Sequence, residues 1–141
     1  MALLGGARDL NQTTAYLERN LQHWLDYGYG LWILCHLPSG RVAGRAVLRH
    51  LPLDGRDEVE VGYALFADFW GRGLATEIGL ACMGYARDPL HLDSVVAITR
   101  PENAGSQRVM QKIGLVYEKD LTHDGLRHVL YRSPPLQASA A

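Results

Sequence analysis

The chain has 141 residues, the length of one domain, and at that size it buries about two-thirds of its unfolded surface without disulfides or metal. Hydrophobic residues make up 48% and charged residues 21%, as in soluble globular proteins, and 14 Lys plus Arg against 15 Asp plus Glu leave no basic excess for a grip on nucleic acid. Cys35 and Cys82 match no metal or redox spacing, no apolar run nears the roughly 18 residues of a membrane span, and the first six residues lack a signal-peptide pattern, so a reduced, cytoplasmic protein with no membrane partner is expected.

Residues 1–10 carry little pattern. From Asn11 the spacing of Leu17, Leu21, Trp24 and Leu25 predicts a helix with Asn11, Thr13 or Thr14 as N-cap and Gly28 as its stop. Leu31–Leu37 reads as a buried strand, Pro38-Ser39-Gly40 as a turn, and Arg41–Arg49 as a partner strand in which Val42, Gly44, Ala46 and Leu48 share one face and alternate with the other. A loop at Pro52–Arg56 leads to a strand over Glu58–Phe66, with Val59, Val61, Tyr63 and Leu65 on one face and Glu58, Glu60, Gly62, Ala64 and Phe66 on the other.

A helix over Gly71–Arg87 has a stripe of Leu74, Ile78, Ala81, Cys82 and Tyr85 and ends at Asp88-Pro89. Ser94–Thr99 is a short strand. A further helix takes Asn103 as N-cap and stops at Gly114. Leu115–Tyr117 and His128–Arg132 are two last strands joined through Asp124-Gly125, and a Pro/Ala/Ser-rich tail over 134–141 is expected to fray. This order gives a mixed α/β or α+β sheet with helices packed on it.

Chemistry concentrates where the Glu58–Phe66 strand runs through Phe69-Trp70-Gly71-Arg72-Gly73-Leu74-Ala75-Thr76 into a helix. A helix N-terminus offers unpaired N–H groups and positive potential; Gly71 and Gly73 let an anion approach, and Arg72 adds charge. No lysine stands there, so a P-loop is excluded, and Thr76 replaces the third glycine of a dinucleotide fingerprint. The phosphate is therefore an anchor, not a reactant. The six histidines form no metal-ligand spacing, so no metal is expected; each is adequately explained by surface or packing roles.

The stretch Val59-Glu60-Val61-Gly62-Tyr63-Ala64-Leu65, followed by Phe69 to Glu77, resembles the acetyl-CoA-binding motif of the GNAT superfamily of N-acetyltransferases. Pro101-Glu102-Asn103-Ala104-Gly105-Ser106 through Leu115 is similar to the superfamily's next motif in its RimJ/RimL-type variant, to which Trp70 also points, and the likeness spans residues 10–133. The resemblance implies an α+β fold with a mostly antiparallel twisted sheet, one splayed pair of strands and helices on both faces, in a single domain over 1–133. It implies acetyl-CoA as cosubstrate, with Leu65 and Phe66 on the pantetheine, Gly71, Arg72, Gly73, Leu74, Ala75 and Thr76 on the diphosphate, and Asn103 beside the pantetheine arm near the thioester.

The implied reaction is direct attack of a primary amine, on a protein N-terminus or a small molecule, with Glu60 as general base; a solvated strand face explains Glu58 and Glu60 equally well. The tyrosine that many members use to protonate the thiolate falls at Met110, and Ser106 takes that role in the subgroup. A non-catalytic coenzyme A-binding module is the competing reading. Members of this type begin with a further strand and helix, for which this chain has only about ten residues; without them Leu31–Leu37 is an open edge, and a homodimer is expected.

Overall fold

The computed structural model describes residues 9–137. The expectations about the first eight residues and about the tail beyond Gln137 lie outside the described residues. The elements run α1 (Leu10–Tyr27), β1 (Leu31–His36), β2 (Arg41–Leu53), β3 (Arg56–Leu65), a 3-10 turn (Ala67–Phe69), α2 (Leu74–Arg87), β4 (Val96–Thr99), α3 (Ala104–Lys112), β5 (Val116–His123) and β6 (Leu126–Arg132). They build one six-stranded sheet in the order β1-β2-β3-β4-β6-β5, antiparallel except where β3 meets β4. This is the expected α+β architecture.

The parallel junction positions the site. β2 and β3 pair continuously from Gly44–Leu65 to Leu53–Arg56, yet β3 and β4 share a single rung, Glu60 opposite Val96. Beyond it the two strands diverge, which is the predicted splay.

Sequence and structure part at several turns. The N-cap of α1 is Asp9, not Asn11, Thr13 or Thr14: its side chain accepts from the Gln12 N–H while the Gln12 side chain accepts from the Asp9 N–H. The expected loop at Pro52–Arg56 shrinks to Asp54-Gly55, both left-handed (φ 47 and 75), so β2 and β3 meet in a tight hairpin. A bulge skips Ala43 between the Leu34–Gly44 and Cys35–Val42 pairs. It turns Ala43 inward and Val42 outward, breaking the alternation read from sequence. Cys35 is exposed, on the same outward face of β1 as Ile33, whereas Cys82 is buried.

The main core joins Ala46, Leu48 and Val61 of the sheet to Cys82, Met83 and Ala86 of α2, Met110 of α3 and its C-cap Ile113. Met83 and Ala86 replace the predicted Ala81, which is exposed. Gly79 lets α2 close on α3: a Cβ there would stand 2.9 Å from Ile113 Cγ2. A smaller cluster of Leu53, Val96, Leu121 and Leu130 lies on the opposite face. Helix α1 buries no residue and touches β1 and β2, Tyr16 stacking under Arg45 and the Trp24 indole donating to the Leu31 carbonyl. Packed structure continues to the end of the described chain, where Leu136 is buried and Gln137 Nε2 donates to the Arg87 and Leu92 carbonyls.

Candidate functional site

The site forms where the β3–β4 gap meets the N-termini of α2 and α3. Gly71 and Gly73 both hold φ 73, the left-handed region, and Gly73 is the N-cap of α2 without any side-chain cap bond. A Cβ added to either would meet nothing within 4 Å, so open space lies over the turn. The first main-chain bond into α2 comes from the Glu77 N–H to the Gly73 carbonyl. Among the described residues the amides of 71–76 therefore have no main-chain acceptor, and they converge at the positive end of the helix dipole. The Arg72 guanidinium lies over the Phe69 ring, 5.5 Å from its centroid, where Arg41 also stacks at 5.1 Å. Arg41 in turn binds Asp68, tying the 3-10 turn to the start of β2. A diphosphate fits this cradle: it has donors, positive charge and room.

Main-chain groups along β3 continue the site. Strand alternation sends successive residues' N–H and C=O groups to opposite edges. The Phe66 N–H donates to the Ala43 carbonyl on the β2 side, so the groups of Tyr63 and Leu65 aim into the gap, while the Val61 N–H on the same edge serves the Glu60–Val96 rung. The Leu65 carbonyl is already taken by the Trp70 indole at 2.8 Å, which leaves Leu65 its N–H. That bond explains the tryptophan at the start of the loop: it ties the end of β3 to the anion cradle. Leu65 itself is buried in a cluster with Ala43 and Phe69, while the Phe66 ring is exposed beside it. Gly62 makes no bulge; a Cβ there would stand 3.1 Å from Val47 Cγ1, a tight contact across the β2–β3 pair.

Glu60 is buried, 7% exposed, at the rung where the strands part. Its Oε1 accepts from Arg49 Nε at 2.8 Å, a partner that single-sequence reasoning missed because only the β2–β3 register brings the two together. A buried carboxylate with one arginine on one oxygen keeps the other lone pairs for a substrate proton. Glu58, two residues earlier on the same face, is committed instead to structure. Arg132 binds both of its oxygens and also reaches Glu118, and the Arg132 bond holds the Glu58 carboxyl below its usual range.

On the opposite face, Tyr63 projects from β3 toward α3. Its hydroxyl is buried and closes no hydrogen bond, and the side chain acting on it is Ser106. Burial raises the phenol above its ordinary value, and Ser106 offsets part of that rise. Asn103 caps α3, its Oδ1 accepting from the Ser106 N–H at 3.0 Å, which fixes the first turn and leaves the Asn103 amide NH2 for another partner. Met110 is 3% exposed in the core and can donate to nothing.

The structure thus brings together Glu60, Leu65, Phe66, residues 71–76, Asn103 and Ser106 around one gap. His123 and His128 stack edge to face in the β5–β6 hairpin. No group of side chains among the described residues could hold a metal, and no helix among them is long and apolar enough to cross a membrane.

Residues 1–116 match the family model described as the acetyltransferase (GNAT) domain. The YkkB protein of Bacillus subtilis is 29% identical over 121 residues, 86% of this chain and 70% of YkkB. Among solved structures, a GnaT-family acetyltransferase from Bordetella pertussis superposes with TM-score 0.80 at 26% identity, covering 92% of this chain and 81% of that one. The yncA acetyltransferase of Salmonella typhimurium, solved with its cofactor acetyl-CoA, shares the fold with TM-score 0.72 at 22% identity, over 96% of this chain and 79% of that one.

Proposed function

The chain belongs to the acetyltransferase (GNAT) domain family, and from that premise we propose that it acetylates a primary amine by direct attack on acetyl-CoA. The family places it as an acetyl-CoA-dependent acetyltransferase, and a binding module without catalysis is not favoured. The observation that carries the reading is the set of unpaired amides over 71–76 beneath two left-handed glycines, opening onto the gap that begins at Glu60.

In this reading the diphosphate rests on residues 71–76 with Arg72, and the pantetheine lies in the β3–β4 gap along Leu65 and Phe66 with Asn103 at its far side. The amine enters from the Glu60 face. Holding a lysine-type amine neutral at pH 7 costs about 4–5 kcal/mol, against about 1 kcal/mol for an α-amino group, so a base matters most for the first. Glu60 takes the proton released as the N–C bond forms; the C–S bond breaks and the thiolate takes a proton from Ser106. The acceptor is a protein N-terminus or a small-molecule amine, in keeping with RimJ/RimL-type chemistry, and one domain over residues 1–133 performs the reaction in the cytoplasm. The β1 edge, unpaired among the described strands, supports a homodimer.

Thermal melting with acetyl-CoA, coenzyme A and ATP tests the cosubstrate. Both coenzyme A species are expected to raise the melting temperature, and stabilisation by ATP alone would overturn the reading. Thiol release with a panel of amines then identifies the acceptor.

A further inference from the structure

A serine hydroxyl is a weak acid for protonating a departing thiolate, and the structure supplies what stands behind it. Tyr63 lies on β3 past the Glu60–Val96 rung, and its ring packs against the main core. Its hydroxyl is buried with no hydrogen-bond partner and faces Ser106 in the first turn of α3, across the mouth of the gap. Buried polar groups are nearly always satisfied, so an orphan hydroxyl at such a place marks a missing partner. Burial raises the phenol's pKa and Ser106 offsets part of that rise.

We propose that Tyr63 works through Ser106 as a two-hydroxyl relay that delivers a proton to the coenzyme A sulfur, on the face of the sheet opposite Glu60. The inference rests on the acetyl-CoA reading above. As the amine nitrogen bonds to the thioester carbon and the C–S bond breaks, the Ser106 O–H proton passes to sulfur. The Tyr63 O–H proton passes to the Ser106 oxygen. Solvent, carrying the proton that Glu60 took from nitrogen, returns one to the Tyr63 oxygen. A phenol is a far stronger acid than a serine hydroxyl, so drawing the proton from Tyr63 through Ser106 lowers the cost of the transfer relative to an isolated serine. Burial keeps Tyr63 in the protonated form that the relay needs. Tyr63 is thus a positioning and proton-supplying residue, and Ser106 the group that touches sulfur.

Coenzyme A binding by titration calorimetry from about pH 7 to about pH 10, with desulfo-coenzyme A as control, tests the relay without knowledge of the acceptor amine. The relay donates to the thiolate, so affinity for coenzyme A relative to the sulfur-free analogue is expected to rise about tenfold as the bound thiol ionises. Tyr63→Phe, which keeps the packed ring, and Ser106→Ala should each abolish that rise, and the double variant should lose no more than either alone. A rise that survives in Tyr63→Phe, or none in the unaltered protein, would overturn the relay and leave the cosubstrate reading intact. Failure of both ligands to bind at any pH would overturn the cosubstrate reading itself.

Discussion

Glu58 and Glu60 are two residues apart on one face of one strand, and their neighbours engage them differently. Glu58 is gripped on both oxygens by Arg132 and is 8% exposed at the side chain. Its lowered carboxyl contributes stability that is fully present above its ordinary 4.5 and is lost as pH falls through the lowered value. Arg132→Met, which strands a buried carboxylate, should cost about 3 kcal/mol by chemical denaturation at neutral pH and should flatten the acid limb of the stability curve. Glu60 has one arginine on one oxygen and a carboxylate otherwise open. Glu60→Gln should lower kcat about a hundredfold with a lysine-type amine and far less with an α-amine, read from pH–rate profiles of the two substrates. Sequence placed both carboxylates on the right face but could not separate them, because Arg49 and Arg132 arrive through pairing with other strands. Tyr63 was legible only as a core aromatic; its unsatisfied hydroxyl depends on where α3 begins.

At the level of elements, the glycines, caps and short turns were the legible part. Asn103, Gly28, Gly114 and Asp124-Gly125 signalled boundaries that local backbone chemistry enforces. The misses have equally local causes. Asp9 outcompetes Asn11 for the α1 cap because Gln12 completes a reciprocal pair with it, and the bulge at Ala43 is an insertion against β1 that no period-two pattern announces. Gly73 combines a left-handed backbone with open space over the N-terminus of α2. Gly73→Ala imposes a left-handed cost of about 1–2 kcal/mol, yet its methyl meets no protein atom within 4 Å. It should therefore melt slightly earlier while binding acetyl-CoA about tenfold more weakly, as calorimetry would show, since the methyl occupies the space over the anion cradle.

Across the whole molecule, the fold class followed from element order, and the divergence of β3 from β4 followed from the family likeness alone. The length of β2, the exposure of α1 and the docking of Leu136 did not follow, because each depends on contacts between segments distant in sequence. Leucine spacing in α1 reads as a buried stripe, whereas Leu17, Leu21 and Leu25 are 50%, 65% and 80% exposed. Gly44 shows how tightly the first half of the sheet is set, since a Cβ there would stand 2.0 Å from the Ala64 carbonyl oxygen. Gly44→Ala should destabilise the protein by at least about 2 kcal/mol in denaturant titration and disturb the strand that lines the gap.

Because one rung joins β1–β3 to β4–β6, the sheet amounts to two antiparallel ladders clasped at a point. Whatever slides between them completes a run of amide partners that the polypeptide omits, so loading with acetyl-CoA should slow deuterium uptake at residues 63 and 65 far more than at 46 or 48. Cargo and mortar would then be the same molecule, and each turnover would briefly unlace the sheet that the next one stitches.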